Sequence, residues 1–416
     1  MESYGKILLI AMPAFLVLVL IEKWYGWKKG FDTLRNMDTI SSLTSGVTNV
    51  TKDVLKLSIG IITYQFMLNH LAFFTMEAKW YTYALAFVFI DFQGYWVHRW
   101  SHAINLFWNR HIIHHSSEEY NLACALRQSI SSFFELFTFL LLPAALLGVP
   151  QNVIAIVAPL QLFAQFWYHT RHIGQMGFLE KIIVTPSHHR VHHAMNAQYM
   201  DKNFSQIFIF WDKLFGTFQQ ELKEVPAVYG ITRPAKTWNP IKINFQHLWL
   251  LISDAWHTKS IADKLRIWFM PTGWRPKDVA DKYPVYKVDD VYHFAKYDTK
   301  TTPALNSWAW FQLIMLLLFL SYFFSNIAQI NAVSVYGIYL YGLFVFLYVY
   351  ALTELMDRNS YAIVWEFVKN IFALSMLYYF GDWFISDTYG VMIKYIVFGY
   401  IIISFACTYI FGKNKK

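Results

Sequence analysis

Residues 80–115 read WYTYALAFVFIDFQGYWVHRWSHAINLFWNRHIIHH, an apolar run that closes on histidines at two regular spacings. From Trp80 to Val97 the run holds a single charged side chain, Asp91. Crossing the hydrocarbon takes about 20 mostly apolar residues, so the run predicts a transmembrane helix that ends at His98. His98 and His102 are four apart, which sets both imidazoles on one helical face at the end of that span. His111, His114 and His115 follow within one short linker.

The pattern recurs downstream. His169-x-x-His172 closes a second apolar run, and His189-x-x-His192-His193 follows Thr185-Pro186-Ser187-His188. Of 15 histidines, 11 fall between positions 98 and 193. A solitary histidine is read as an interface or hydrogen-bonding residue, which is the reading for His70, His247, His257 and His293. The crowded ones need another explanation, because protonated imidazoles side by side repel and buried ones need partners. Shared metal coordination answers both requirements. Two helix-end pairs and two His-x-x-His-His segments can surround two metals, and imidazole nitrogen suits iron, zinc, copper or nickel, not calcium or magnesium. No Glu-x-x-His motif is present, unlike the soluble carboxylate-bridged di-iron bundles.

Working outward, the chain of 416 residues is 56% hydrophobic, 19% aromatic and only 15% charged, which is the composition of a membrane protein. Apolar runs near 6–26, 54–76, 80–97, 130–149, 150–168, 305–326, 331–352, 363–380 and 389–411 predict an all-α polytopic protein of nine spans. The net charge of +8 follows topology and not a nucleic-acid surface. Lys28, Lys29, Arg35, the two large polar regions 98–129 and 169–304, and the tail Lys413, Lys415 and Lys416 fall on one side by parity, and the other side has only Lys79. The positive-inside rule then places the N-terminus outside and the histidines in the cytoplasm. Cys124 and Cys407 exclude a disulfide framework and cysteine-held metal clusters. Four regions are expected: N-terminal helices in 1–79, a histidine-bearing core in 80–227, a cap in 228–304, and a scaffold of four helices in 305–416 with no cluster of titratable residues.

These motifs resemble the fatty acid hydroxylase and sterol desaturase superfamily of membrane di-iron oxygenases. The stretches HIIHHSSEEYNLACALRQ (111–128), TPSHHRVHH (185–193) and DKNFSQIFIFWDKLFGTF (201–218), with VYGIT (228–232), are similar to its alkylglycerol (glyceryl-ether) monooxygenase subfamily. The resemblance covers roughly residues 80–300. It implies two iron ions held by His98, His102, His111, His114, His115, His189, His192 and His193, with His169 as an intervening ligand and His172 as an extra one. It implies tetrahydrobiopterin as reductant, dioxygen as co-substrate and an ether lipid as substrate. The subfamily carries an acidic residue after the intervening His-Thr, where this chain has Arg171, so Arg171 is the expected contact to pterin or substrate.

The chemistry so implied is hydroxylation of the carbon alpha to the ether oxygen, after which the hemiacetal falls apart to aldehyde and glycerol. A lipid substrate explains why the ligands sit at helix ends, where a lipid's head meets its chain. Asp91, two turns before His98, is expected to orient a ligand ring through its free N–H. Glu118, Glu119 and Asp201 lie near ligand boxes, and Arg127 and Arg190 are expected to pair with such carboxylates or with a lipid phosphate. Two rival readings stand beside this one. A sterol desaturase or lipid hydroxylase would take electrons from cytochrome b5 or ferredoxin, and a divalent-metal transporter would need acidic residues or histidines through the spans. The membrane would be the endoplasmic reticulum in a eukaryote or the inner membrane in a bacterium.

Overall fold

The computed structural model describes residues 2–413. Its long helices are α1 (Glu2–Lys29), α2 (Asn36–Val54) and, after α3 (Tyr64–Leu71), α4 (Trp80–Ala103). A core of short pieces follows: α5 (Ile112–His115), α6 (Leu142–Leu146), α7 (Gln151–Phe163) and α8 (Pro186–His192). The cap holds α9 (Pro240–His257) and α10 (Ile261–Arg266). Four long helices end the chain: α11 (Pro303–Ser325), α12 (Gly337–Met356), α13 (Ala362–Phe380) and α14 (Met392–Lys413).

Among the described residues, five helices are long and apolar enough to cross a membrane: Gly5–Lys29 within α1, and α11 to α14. The protein is integral to the membrane, but the nine expected spans are not all found as helices. Hydropathy counts side chains and is blind to where the backbone breaks. The runs 54–76 and 130–149 start as the short strands β1 (Ile59–Gly60) and β2 (Phe134–Glu135), paired in parallel, and continue as α3 and α6. Thirteen residues of α7 cover about 20 Å, short of the ~30 Å hydrocarbon. Only α4 has the length, 24 residues, and its second half carries Asp91, Gln93, His98, Arg99 and His102. Each run therefore folds as one arm of a hairpin, and α4 and α7 are the returning arms. The far ends meet where Phe73 and Met76 donate to the Leu146 and Gly148 carbonyls. Gly148 has φ +78, and a Cβ there would lie 1.9 Å from the Phe74 carbonyl oxygen, so only glycine fits.

Helix α2 is polar yet buried along most of its length. Its hydroxyls return hydrogen bonds to its own carbonyls, as Thr44 does to Ser41, Thr48 to Ser45 and Thr51 to Val47, which removes the cost of burying them. It packs against α11 and α12 on one side and the segment after α5 on the other, joining the terminal bundle to the histidine core. The expectation that the last four helices lack a titratable cluster is overturned. Glu366 and Lys369 of α13 form a buried ion pair at 2.8 Å. Ser404 donates to the same carboxylate, Gln312 accepts from Tyr348, and the rings of Tyr348 and Tyr400 flank the Lys369 ammonium. These groups are spread over four helices, one or two residues on each, so no local window of sequence displays them together.

Candidate metal centre

Three helical pieces and one loop supply the histidines. α4 carries His98 and His102 on adjacent turns, and Ile104 turns the chain into extended backbone at φ −121, ψ 128. The single turn α5 presents His114 and His115, with His111 at its N-cap position. α8 starts at Thr185-Pro186, where the Thr185 amide donates to His188 Nδ1 and proline takes the first turn, so His188 serves the helix start. From there His189, His192 and His193 point back toward α4 and α5. His169 lies beyond the end of α7, in irregular backbone.

The structure gathers nine of the ten histidines into two groups, within each of which the ring nitrogens lie within 4.8 Å of one another. The first is His98, His102, His111, His115 and His192; the second is His114, His169, His189 and His193. The facing atoms are Nε2 throughout. His111 stands 3.0 Å from His98 and 3.1 Å from His115, which is itself 3.1 Å from both His102 and His192. His189 stands 2.9 Å from His169 and 3.1 Å from His193, and His114 is 3.4 Å from His169.

The other ring nitrogens explain why this crowding suits metal. Nδ1 of His98 donates to the Phe204 carbonyl at 2.8 Å, His114 to Arg127 at 3.2 Å, His169 to Gln165 at 3.0 Å and His192 to Lys202 at 2.9 Å. A neutral imidazole that donates from Nδ1 has a lone pair on Nε2. His114 and His169, both donating from Nδ1, therefore meet lone pair to lone pair, and His115 Nε2 faces three other Nε2 atoms although one ring nitrogen makes a single in-plane hydrogen bond; a cation satisfies both arrangements. Burial, and then the charge each neighbour would carry, pushes His114 down to about 3 and holds His111, His115, His169, His189, His192 and His193 well below the ordinary range. The donor set fits two borderline-to-soft metal ions such as iron.

His172 stands apart. Its Nε2 lies 3.4 Å from the Thr33 hydroxyl, and its ring meets Tyr25 and Phe31 edge-on. The i, i+3 spacing from His169 implies a shared face only on a helix, and α7 has ended at Phe163. Arg171 reaches Glu119 at 3.4 Å and lies over the Phe31 ring, and its buried Nε has no partner among the described residues.

The carboxylates do not reach the rings where they were expected. Asp91, fully buried, accepts from the amides of Ile207 and Phe208, from the Trp211 indole and from Gln161. It holds the 204–211 loop against α4, and the Phe204 carbonyl in that loop orients His98. Glu118 accepts from the Tyr297 amide and Glu119 from Lys296, tying the cap to the core. Arg127 forms a buried ion pair with Asp38 at 2.8 Å and donates to Ser42 and Ser116; its part in the site is its carbonyl, not its guanidinium. Arg190 grips Glu221 and the carbonyls of Thr170 and Ile173. Among the carboxylates of the described residues, Asp201 alone approaches a ligand ring, 3.4 Å from His102 Nδ1.

Comparison with known proteins adds a second line. The fatty acid hydroxylase family matches residues 83–217. Human alkylglycerol monooxygenase is 34% identical over 378 residues, 89% of this chain and 82% of the relative. The Danio rerio alkylglycerol monooxygenase is 33% identical over 91% of this chain and 84% of its own. The chain belongs to the alkylglycerol monooxygenase family. It is by that membership an oxidoreductase, a monooxygenase of lipids. The ornithine lipid hydroxylase of Rhizobium tropici is 28% identical over a shorter stretch, 36% of this chain and 45% of the relative. No solved structure matches the chain significantly.

Both histidine groups fall inside the fatty acid hydroxylase segment, as do Asp91 and Asp212. Two supporting residues escaped the reading of the sequence. Asp212 accepts from the Phe204 and Ser205 amides, and Asp38 receives Arg127 and Ser117. Asp212 lies in the DKNF-to-GTF block that marks this monooxygenase family, and that was the available signal; Asp38 had none.

Proposed function

We propose that the chain is a di-iron alkylglycerol monooxygenase, oxidising the carbon alpha to the ether oxygen with dioxygen and a reduced pterin, tetrahydrobiopterin. The observation that carries this reading is the pair of converging Nε2 groups in a chain a third identical to a human alkylglycerol monooxygenase along most of its length. His98, His102, His111, His115 and His192 would hold one iron, and His114, His169, His189 and His193 the other. Bound there, the metal pair supplies the activation of dioxygen.

The chain's own residues do the rest. Carbonyls of Phe204, Arg127, Gln165 and Lys202 fix four rings as Nδ1–H tautomers, so their Nε2 atoms are held in position and would be free to take the metals. Burial of the rings keeps bulk water from the oxidising centre. One oxygen atom enters the C–H bond, and the other leaves as water with two electrons and two protons from the pterin. The hemiacetal then breaks its C–O bond to give fatty aldehyde and glycerol. Arg171, with its unpartnered Nε, is the residue we assign to the reductant side. The basic residues beside the histidine end of the bundle support a cytoplasmic site, which a cytoplasmic reductant would reach.

The test is direct: iron-loaded full-length protein given an alkylglycerol, dioxygen and tetrahydrobiopterin releases fatty aldehyde. No aldehyde with pterin, together with hydroxylation of another lipid driven by ferredoxin or cytochrome b5, would overturn the substrate and reductant while leaving the di-iron site standing.

A further inference from the structure

The cap helix α9 is apolar on both faces. Its inward face buries Ile243 and Leu251 together with three hydrogen-bonded polar groups: Asn244 to Ile130, His247 to the Asn105 carbonyl, Asp254 to Arg275. Its outward face carries Trp249, Ile252 and Trp256, at helical spacings of three and four, with the two indoles 70% and 80% exposed. Helix α10 and the turn after it continue the pattern with Ile261, Leu265 and Phe269, each about as open. A water-facing helix carries polar side chains on that outer face.

Position and charge say what covers this face. It is continuous with the hairpin surface: the ring of Phe245 on α9 stacks on Phe133, which leads into the exposed Phe134 of β2. The backbone after α10 bonds to the end of α4, Asn105 and Leu106 donating to Met270 and Trp268 and Thr272 donating to Ala103. The stripe therefore lies level with the point where α4 leaves the apolar hairpins. Lys259, Lys264 and Arg266 flank it in the chain, Lys264 donating to the Trp256 carbonyl and Arg266 paired with Asp263. Exposed tryptophans with leucine, isoleucine and a basic rim make the surface of a helix lying in the plane of a bilayer interface, drawn to anionic headgroups.

We infer that α9 and α10 are embedded in the headgroup region of the same membrane that the long helices span, with anionic phospholipid against Lys259, Lys264 and Arg266. The cap then rests on the bilayer and holds the histidine end of α4 at the depth of the lipid headgroups. This inference does not depend on the reaction catalysed.

The test uses full-length protein in nanodiscs of phosphatidylcholine with phosphatidylglycerol, with spin labels placed singly by Trp256→Cys, Leu265→Cys and, as a control, Asp281→Cys, each with Cys407→Ser. Labels at 256 and 265 should collide several-fold more often with dissolved oxygen than with a water-soluble nickel chelate, and the label at 281 should show the reverse. Lys259→Glu, Lys264→Glu and Arg266→Glu together should lower the oxygen preference at 256. A water-exposed signature at 256 and 265 would overturn the inference, as would dipolar coupling between labels on two copies, which would make the stripe a dimer face.

Discussion

His98 donates its Nδ1–H to the Phe204 carbonyl, 106 residues away in sequence, and the Phe204 amide donates in turn to Asp212 at 2.8 Å. The next amide, Ser205, which shares a peptide unit with that carbonyl, donates to the same carboxylate at 2.9 Å, so the group that aims the imidazole is clamped on both sides by Asp212. Asp212→Ala frees that peptide and with it the ring. Loss of such a support costs about 10- to 100-fold in metal affinity or activity. Metal analysis should show depletion at the five-histidine group first, and Asp212→Asn should recover part of it.

The two groups should empty separately. His115→Ala and His192→Ala remove donors from the first, His114→Ala and His193→Ala from the second. Each variant should retain about one metal per chain instead of about two and lose turnover, because the two groups have no histidine in common. His172→Ala should keep both metals. Loss of metal there would mean that the irregular segment after His169 rearranges on loading.

The cap junction should respond to acid. Burial pushes His247 down to about 4, and its Nε2 donates to the Asn105 carbonyl as a neutral ring. A folded pKa below the unfolded one means that the unfolded chain binds the extra proton, so stability rises with pH across the window from about 4 to 6.5 and is lost as pH falls through it. The whole effect is about 3 kcal/mol at most. His247→Gln keeps a donor and removes the titration; its melting temperature should fall less between pH 6.5 and 4.5 than that of the wild type.

The Arg127–Asp38 pair is a stability element. Both side chains are almost fully buried. Removing one partner of a buried pair strands a charge and costs about 3–5 kcal/mol, whereas replacing both with apolar groups is often near neutral. Asp38→Leu should therefore unfold at markedly lower temperature, and Asp38→Leu with Arg127→Met should recover much of the loss while the Arg127 carbonyl still receives His114.

What could be read from sequence tracks what is local. His98 and His102 are neighbours because α4 is regular, and His189 and His192 because α8 is. His172 fails the same rule because its segment is not helical. Asp91 stood out as a deep carboxylate, yet its partners are Gln161 and three donors near residue 208 that no spacing announces. The carbonyls that orient His98, His114 and His192 belong to Phe204, Arg127 and Lys202, and a backbone acceptor has no residue signature at all. The five long spans were visible as hydropathy, whereas the hairpin arms are apolar runs that are either too short as helices or, in α4, interrupted by polar side chains.

The buried pair in the terminal bundle separates stability from catalysis. Glu366 and Lys369 lie one turn apart on α13, and Ser404 of α14 bonds to both. Lys369→Met would leave the Glu366 carboxylate in an apolar bundle with neutral donors only, the costly half of a broken ion pair. The same change made with Glu366→Leu removes the charge along with its partner. The single variant should lower the melting temperature of the purified protein well below that of the double variant, and both should carry the full complement of metal, since neither residue touches a histidine group. Metal loss in the double variant would show that the terminal bundle takes part in shaping the histidine core through α2, which packs against α11 and α12.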